Sequence, residues 1–407
     1  MLQIQNEKEY IKNLIGTIIE KCPRRQPTSE DELLSQKIMA EEFKKLNIST
    51  EFEQFTFNDN LYANIALHFG LSTAGTFVSG LLPGLALIMH GLAAGSYYAE
   101  STRKAYILRR ILGFKPSQNL IATLPAKVEP KLRIVIMGHA DAAFTGFLFS
   151  DFMIKIGSKP TLPILKWPLA LATQTSAILT VFDSLRLLLG PFLTFPLRPL
   201  EYILTIPSLL AFALNIEMVV RDEIVPGAND NLTGTAALPI LASRLFSKIP
   251  ENVEIVFVIT GCEEASLGGG DALARSKKDL WSKENTVIIG LDTLSNGDLH
   301  YVAVEGEIIH KPVPKWLKGI LDEVIQSEDR FKKEVKGFDL FAGGTDVGAF
   351  FQHGWDGVCL INVDPKLGAP RHYHKPGDNL ENLDMEKLMY SIDFAEKLII
   401  KIIEKKG

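Results

Sequence analysis

The pattern of apolar and polar positions changes several times along the chain, and each change marks a boundary. Residues Asn6–Leu46 follow a helical period broken at Cys22–Thr28, where Pro23 and Pro27 fall, so two helices are predicted. Leu33, Leu34, Ile38, Met39, Phe43 and Leu46 form the apolar stripe of the second, and Ser29 with Glu32 makes a capping box at its start. Ser49–Phe57 alternates as a strand does. Leu120–Leu124, Leu132–Met137, Val253–Thr260, Thr286–Leu291 and Val358–Val363 are short apolar runs, several of them rich in β-branched residues. Runs without polar alternation suit strands covered on both faces of a sheet. After a loop at Pro226–Gly234, helical periods return up to Phe246, with a kink expected at Pro239, then over Lys315–Ile325 and from Met385 to Glu404. Phe341–Phe351 reads as a glycine-rich loop.

Two regions break this texture. No Asp, Glu, Lys or Arg lies between Asp59 and Glu100. A bilayer crossing takes about 20 residues. The first region therefore divides into candidate spans at Leu61–Ser79 and Leu81–Tyr98, around Gly80–Gly84. The second runs from Thr161 to Val220, with candidate spans at Ile164–Phe182 and Tyr202–Val220; Pro207 in the last is tolerable in a membrane helix. A hydrophobic cap or an oligomer interface is the competing account of both. His68 and His90 fall in the first region and read as core or interfacial histidines. The basic stretch Arg103–Lys115 would suit lipid headgroups.

Composition narrows the picture. A formal net charge of -5 gives no reason to expect nucleic-acid binding. The mean hydropathy of +0.12 is accounted for by the two apolar regions. Cys22, Cys262 and Cys359 are odd in number and far apart, which fits a reducing compartment, and Cys262 reads as a small buried hydrophobe. The N-terminal stretch lacks a basic region followed by an apolar run, so no cleavable signal peptide is expected.

The chemistry gathers at strand ends, where sites of open α/β sheets lie. Leu132–Met137 runs into Gly138-His139-Ala140-Asp141; Val253–Thr260 into Gly261-Cys262-Glu263-Glu264; Thr286–Leu291 into Asp292; Val358–Val363 leads to a segment holding His374. Asp230 sits in a fifth loop, before a helix. Two imidazoles and three carboxylates could hold two divalent ions with one carboxylate bridging, and both ligand types suit Zn²⁺. Asp141 could orient His139, and Asp378 could orient His374.

These segments resemble the di-zinc aminopeptidase family that includes bacterial leucyl aminopeptidases, glutamate carboxypeptidase II and glutaminyl cyclases. The matching pieces are GHADA at Gly138, PGANDNLTG at Pro226, GCEEASLGG at Gly261, LD at Leu291, GGTD at Gly343 and YHKPGDNLEN at Tyr373. The resemblance covers about Gln26–Phe57, Asn119–Asp141 and Pro226 to the C-terminus. It implies that His139 and Asp292 hold one zinc, Glu264 and His374 the other, that Asp230 bridges them, and that Glu263 is the general base. Val347 replaces a histidine that often follows the GGTD aspartate, here Asp346. Asp346, Tyr373 and His372 are the candidate substrate contacts.

The reading is an α/β fold, a mixed and mostly parallel sheet with helices on both faces, plus inserted hydrophobic hairpins. The hydrolase parts are residues 1–59, 119–142 and 224–407; the insertions are 60–118 and 143–223. The expected function is a zinc metallopeptidase, an aminopeptidase in a membrane, acting on a peptide or amide with room for a homo-oligomer. The alternatives are hydrolysis of a lipid-linked or N-acyl amide, glutaminyl cyclisation, and an inert receptor on the same fold. Each insertion must cross the bilayer an even number of times. Arg103, Lys104, Arg109, Arg110, Lys155, Lys159 and Arg221 flank the domain side, so the catalytic domain is expected in the cytoplasm.

Overall fold

The computed structural model describes residues 4–158, 166–340 and 343–407. A nine-stranded sheet organises the part of the chain outside the two apolar regions. Its strands are β1 (Thr50–Phe57), β2 (Lys115–Leu124), β3 (Leu132–His139), β4 (Val253–Thr260), β5 (Thr286–Leu291), β6 (Asp298–Glu305), β7 (Lys311–Pro312), β8 (Lys336–Leu340) and β9 (Asp356–Val363). The order is β1-β2-β4-β3-β5-β9-β6-β7, with β8 also on β6. The centre, β4-β3-β5-β9, is parallel, while β1, β2, β6 and β7 join antiparallel. The expected fold class holds.

The apolar strands are buried on both sides. In β3 and β4, Ile134, Ile136, Ile255 and Phe257 enter the larger core, shared with the helices α1 (Glu7–Lys21) and α2 (Glu30–Lys45). Val135, Met137, Val256 and Val258 enter the other core. β6, β7 and β8 were not foreseen: their burial alternates or they are largely exposed, so they lack the continuous apolar signal of the central strands. The second half of the expected glycine-rich loop is a helix, Asp346–Gln352; residues 341–342 lie outside the described residues.

The apolar regions form four long helices, α3 (Leu61–Val78), α4 (Pro83–Ser101), α6 (Pro168–Leu189) and α7 (Arg198–Arg221), with a short α5 (Asp151–Ser158) before α6. The expected start of the third span at Ile164, and Lys159, lie outside the described residues. α3 packs on α4 and α7, and α6 packs on α4 and α7, closing a bundle. Its interior is polar. Ser176 meets Ser72 at 2.7 Å and Ser208 at 3.2 Å, Thr76 meets His90 at 3.1 Å and Thr205 at 2.7 Å, and His90 meets Asp183 at 2.6 Å. Asp183 and Arg186 both bond Ser79, and Arg186 pairs with Glu201. Its outside is apolar: Leu85, Ile88, Ile178, Val181, Ile203, Ile206 and Leu210 are exposed, as are Leu81, Leu188 and Phe192 at the tip. Among the described residues only the helix Phe192–Arg221 is long and apolar enough by composition to cross a membrane. Glycine, serine, threonine and histidine dilute the other three.

Candidate active site

Strand register brings the site together. In the parallel β3–β4 pair, His139 stands opposite Thr260, so Glu263 and Glu264 emerge beside it. In the β3–β5 pair, Met137 stands opposite Gly290, and Asp292 follows two residues later. Asp230 comes from the tight turn Ala228–Leu232 ahead of the helix Thr233–Leu245, and the Asp230–Asn231 peptide is cis. His374 lies in the loop after β9 with a left-handed backbone, φ 51°.

The side chains converge. One oxygen of Asp230 lies 3.2 Å from Nε2 of His139, and the other lies 3.2 Å from Nε2 of His374. Asp292 approaches His139 Nε2 at 3.9 Å, and Glu264 approaches His374 Nε2 at 3.5 Å. Three groups of possible donors result: His139–Asp230–Asp292 and Asp230–Glu264–His374, which share Asp230, and His139–Glu263–Glu264. Glu263 lies 3.8 Å from His139 Nε2.

The electrostatics match a cation site. Burial pushes the carboxyls of Glu263 and Glu264 well above their ordinary range, and that of Asp292 up to about 8, with neighbouring carboxylates adding to each. Burial also acts on Asp230, but hydrogen bonds from His139 and His374 outweigh it and hold this carboxyl below its usual value. Burial lowers His139, yet Glu263, Asp141 and Asp230 raise it further, well above the imidazole norm. Buried carboxylates at this density require positive charge to ionise together. Oε1 of Glu264 and Oδ1 of Asp292 are buried without a hydrogen-bond donor, as free ligand oxygens would be. The donor set of imidazole and carboxylate fits zinc.

Surrounding residues set the geometry. The backbone oxygen of Asp141 lies 3.1 Å from His139 Nδ1, while its carboxylate accepts the N–H groups of Glu263 at 3.1 Å and Glu264 at 2.8 Å. Asp378 does not hold His374, contrary to the expectation from sequence. Its two oxygens accept the N–H groups of Asn229 at 2.7 Å and Asp230 at 3.0 Å, and so brace the shared carboxylate's loop instead. Asp346 is buried, its carboxyl raised by burial to about 6, and it accepts the Thr260 hydroxyl at 2.5 Å at the end of β4. Tyr373 lies with its ring centroid 4.0 Å from that of His374. His372 is half-buried among Arg371, Lys375 and Asp151, away from the two donor sets.

Three supports, namely Glu32, the pair Arg103 and Arg109, and Tyr62, have no signal of that role in the sequence as such. Glu32 caps its helix loosely through Thr28, but its carboxylate also accepts the Cys262 N–H and the Ser117 hydroxyl, both at 2.7 Å, beneath the Glu263 loop. Arg103 donates to the Ser266 carbonyl at 2.7 Å, and Arg109 to the Ala265 carbonyl at 2.5 Å. Both arginines are buried, Arg109 paired with Glu100, so they brace the catalytic loop and do not face headgroups as expected. The third support is Tyr62, at the root of α3, whose hydroxyl lies 3.4 Å from His374 Nδ1. Glu32 has a capping-box signal, which masks its second duty; the others depend on tertiary contacts alone.

Residues 215–398 match the model of peptidase family M28. That segment holds Asp230, Glu263, Glu264, Asp292 and His374, and leaves His139 and Asp141 outside. Aminopeptidase YwaD of Bacillus subtilis (strain 168) is 26% identical over 190 residues, 44% of this chain, which spans 38% of that relative's length. A glutaminyl cyclase from an Acidobacteriales bacterium has TM-score 0.56 at 15% identity, covering 100% of this chain and 98% of its own. BSAP, a zinc aminopeptidase from Bacillus subtilis, has TM-score 0.56 at 14% identity with the same coverage. An aminopeptidase from Aneurinibacillus sp. strain AM-1 has TM-score 0.53 at 16% identity, covering 96% of this chain and 93% of its own. At such identities these structures show a shared fold. The family match lies within residues 215–398, and the solved structures show the fold.

Proposed function

We propose that this chain is a zinc-dependent hydrolase of peptide bonds, an aminopeptidase, held in a membrane with its catalytic domain on the cytoplasmic side. The observation that carries the chemistry is Asp230, with one oxygen toward each of two imidazoles. His139 and Asp292 would hold one zinc, Glu264 and His374 the other, and Asp230 both. Two zinc ions so held would supply Lewis acidity and a water acidic enough to attack at neutral pH. Glu263 also groups with His139 and Glu264, but the other four ligands and Asp230 complete both positions without it. Its carboxylate, 3.8 Å from His139 Nε2, stands where a base could take a proton from the attacking water and pass it to the leaving amine. Asp141 fixes the backbone of Glu263 and Glu264, so the two side chains keep separate directions.

The membrane part of the reading rests on the inverted bundle, apolar outside and ion-paired inside. In lipid, ionisable side chains turn inward and pair. α3–α4 and α6–α7 each leave the catalytic domain and return to it, which gives four crossings. Lys104, Arg110, Lys155 and Arg221 are exposed near the domain side, while Gly80–Gly84 carries no charge and Arg186 and Arg198 at the second tip both pair with Glu201, which favours a cytoplasmic domain.

A glutaminyl-cyclase-like reaction is the second reading, because a cyclase and an aminopeptidase have the same TM-score to this chain. The test is a screen of aminoacyl amides, N-acyl amides and N-terminal glutaminyl peptides with the zinc-loaded, detergent-purified protein. Release of amino acids from unblocked peptides is expected. Cyclisation alone, or turnover of N-acyl amides alone, would replace the proposed activity.

A further inference from the structure

We propose that Tyr62, brought to the site by the inserted helix α3, is a positioning residue that fixes His374 as a ligand. A histidine that binds metal through Nε2 carries its proton on Nδ1, and that N–H needs an acceptor to set the ring's tautomer and direction. His139 and His374 both point Nε2 at Asp230. At His139 the acceptor is the Asp141 carbonyl, 3.1 Å from Nδ1. At His374 the corresponding place is taken by the Tyr62 hydroxyl at 3.4 Å. The carboxylate that the sequence suggests for this duty, Asp378, is committed to the backbone of Asn229 and Asp230. Phe149 and Tyr373 lie against the imidazole with ring centroids 4.2 and 4.0 Å away.

Tyr62 itself is held firmly. It is 3% exposed, in the first turn of a helix capped by Asn60, whose side chain accepts the Ala63 N–H at 2.9 Å. Its ring meets Phe144 edge-on at 5.9 Å and Phe149 at 6.2 Å. Met218 of α7 closes the same cluster. Roots of both inserted hairpins thus meet at the residue that touches His374. The insertions therefore supply the Nδ1 partner at the position formed by Glu264 and His374, whereas at His139 that partner is Asp141, just after β3.

This inference rests on the two-zinc reading, and the experiment separates the two. Zinc affinities of the full-length protein in detergent are measured by competition with a chromophoric chelator, for wild type, Tyr62→Phe and Phe144→Leu, with the thermal midpoint of each metal-free form. Loss of an outer partner of a metal-bound histidine typically costs roughly 10–100-fold in affinity. Tyr62→Phe is expected to weaken one of the two zinc ions by that factor, to leave the other unchanged, and to keep the metal-free midpoint of wild type. Phe144→Leu, which disturbs the same packing without touching the hydroxyl, is expected to keep both affinities. Two zinc ions with unchanged affinities in Tyr62→Phe would overturn the role of Tyr62 alone. Equal weakening of both ions, or the same weakening in Phe144→Leu, would overturn it as well. A wild-type protein that binds no zinc would overturn this inference together with the proposed function.

Discussion

Asp141 holds Glu263 by its backbone: one carboxylate oxygen accepts the Glu263 N–H at 3.1 Å, and the partner oxygen takes the next N–H along. Two neighbouring glutamates on a loop would otherwise be free to exchange places. Clamped in this way, Glu264 faces His374 at 3.5 Å, while Glu263 stands on the His139 side at 3.8 Å.

The pair should therefore separate cleanly under mutation. Glu263→Gln is expected to keep both metals and lose roughly 10²–10⁴-fold in kcat, the usual worth of general acid–base catalysis. Glu264→Gln is expected to lose metal from the His374 position. Metal content and single-turnover rates check both, and the opposite pattern would reverse the assignment within the pair.

The site was more legible in the sequence than its supports. Val253–Thr260 and Thr286–Leu291 are unbroken apolar runs because both faces are covered, so their ends, and with them Glu263, Glu264 and Asp292, could be placed before the structure. β6 and β8 carry weak signals because part of each faces outward: the apolar run of β6, Tyr301–Val304, is only four residues long, and β8 has none. Tyr62, Arg103 and Arg109 belong to the insertions, and their sequence context is that of a lipid-facing helix and a basic flank. Only the packing of α3 and α4 against the catalytic loop turns them inward. Asp378 was assigned to the nearer histidine in sequence, but the fold carries it to the Asp230 loop.

The bundle's ion pairs give a stability test. Arg186 and Glu201 are 2% and 1% exposed, and Arg186 also bonds Ser79 across to the other hairpin. Removing one member of a buried ion-pair network costs about 3–5 kcal/mol, and Arg186→Leu would leave Glu201 with Arg198 alone, at 2.8 Å. Arg186→Leu is expected to lower the thermal midpoint sharply, and Arg186→Leu with Glu201→Leu to recover part of the loss. A double variant less stable than the single one would show that the pair is not the unit that matters.

Membrane attachment is tested by carbonate extraction, which should leave the chain in the pellet. Orientation is then read from single cysteines. Leu82, exposed in the tip turn, serves as the far-side position, and Glu129, also exposed, as the domain-side one. The three native cysteines are buried and give little background. In intact cells an impermeant thiol reagent is expected to reach Leu82→Cys and not Glu129→Cys. The reverse would place the catalytic domain outside.

The central claim is that one carboxylate serves two metal ions, and zinc stoichiometry tests it most directly. Elemental analysis of the detergent-purified chain should give two zinc ions per chain, and Asp230→Ala should lower occupancy at both positions, since its two oxygens face different histidines. A single tight zinc per chain, unchanged in Asp230→Ala, would contradict it.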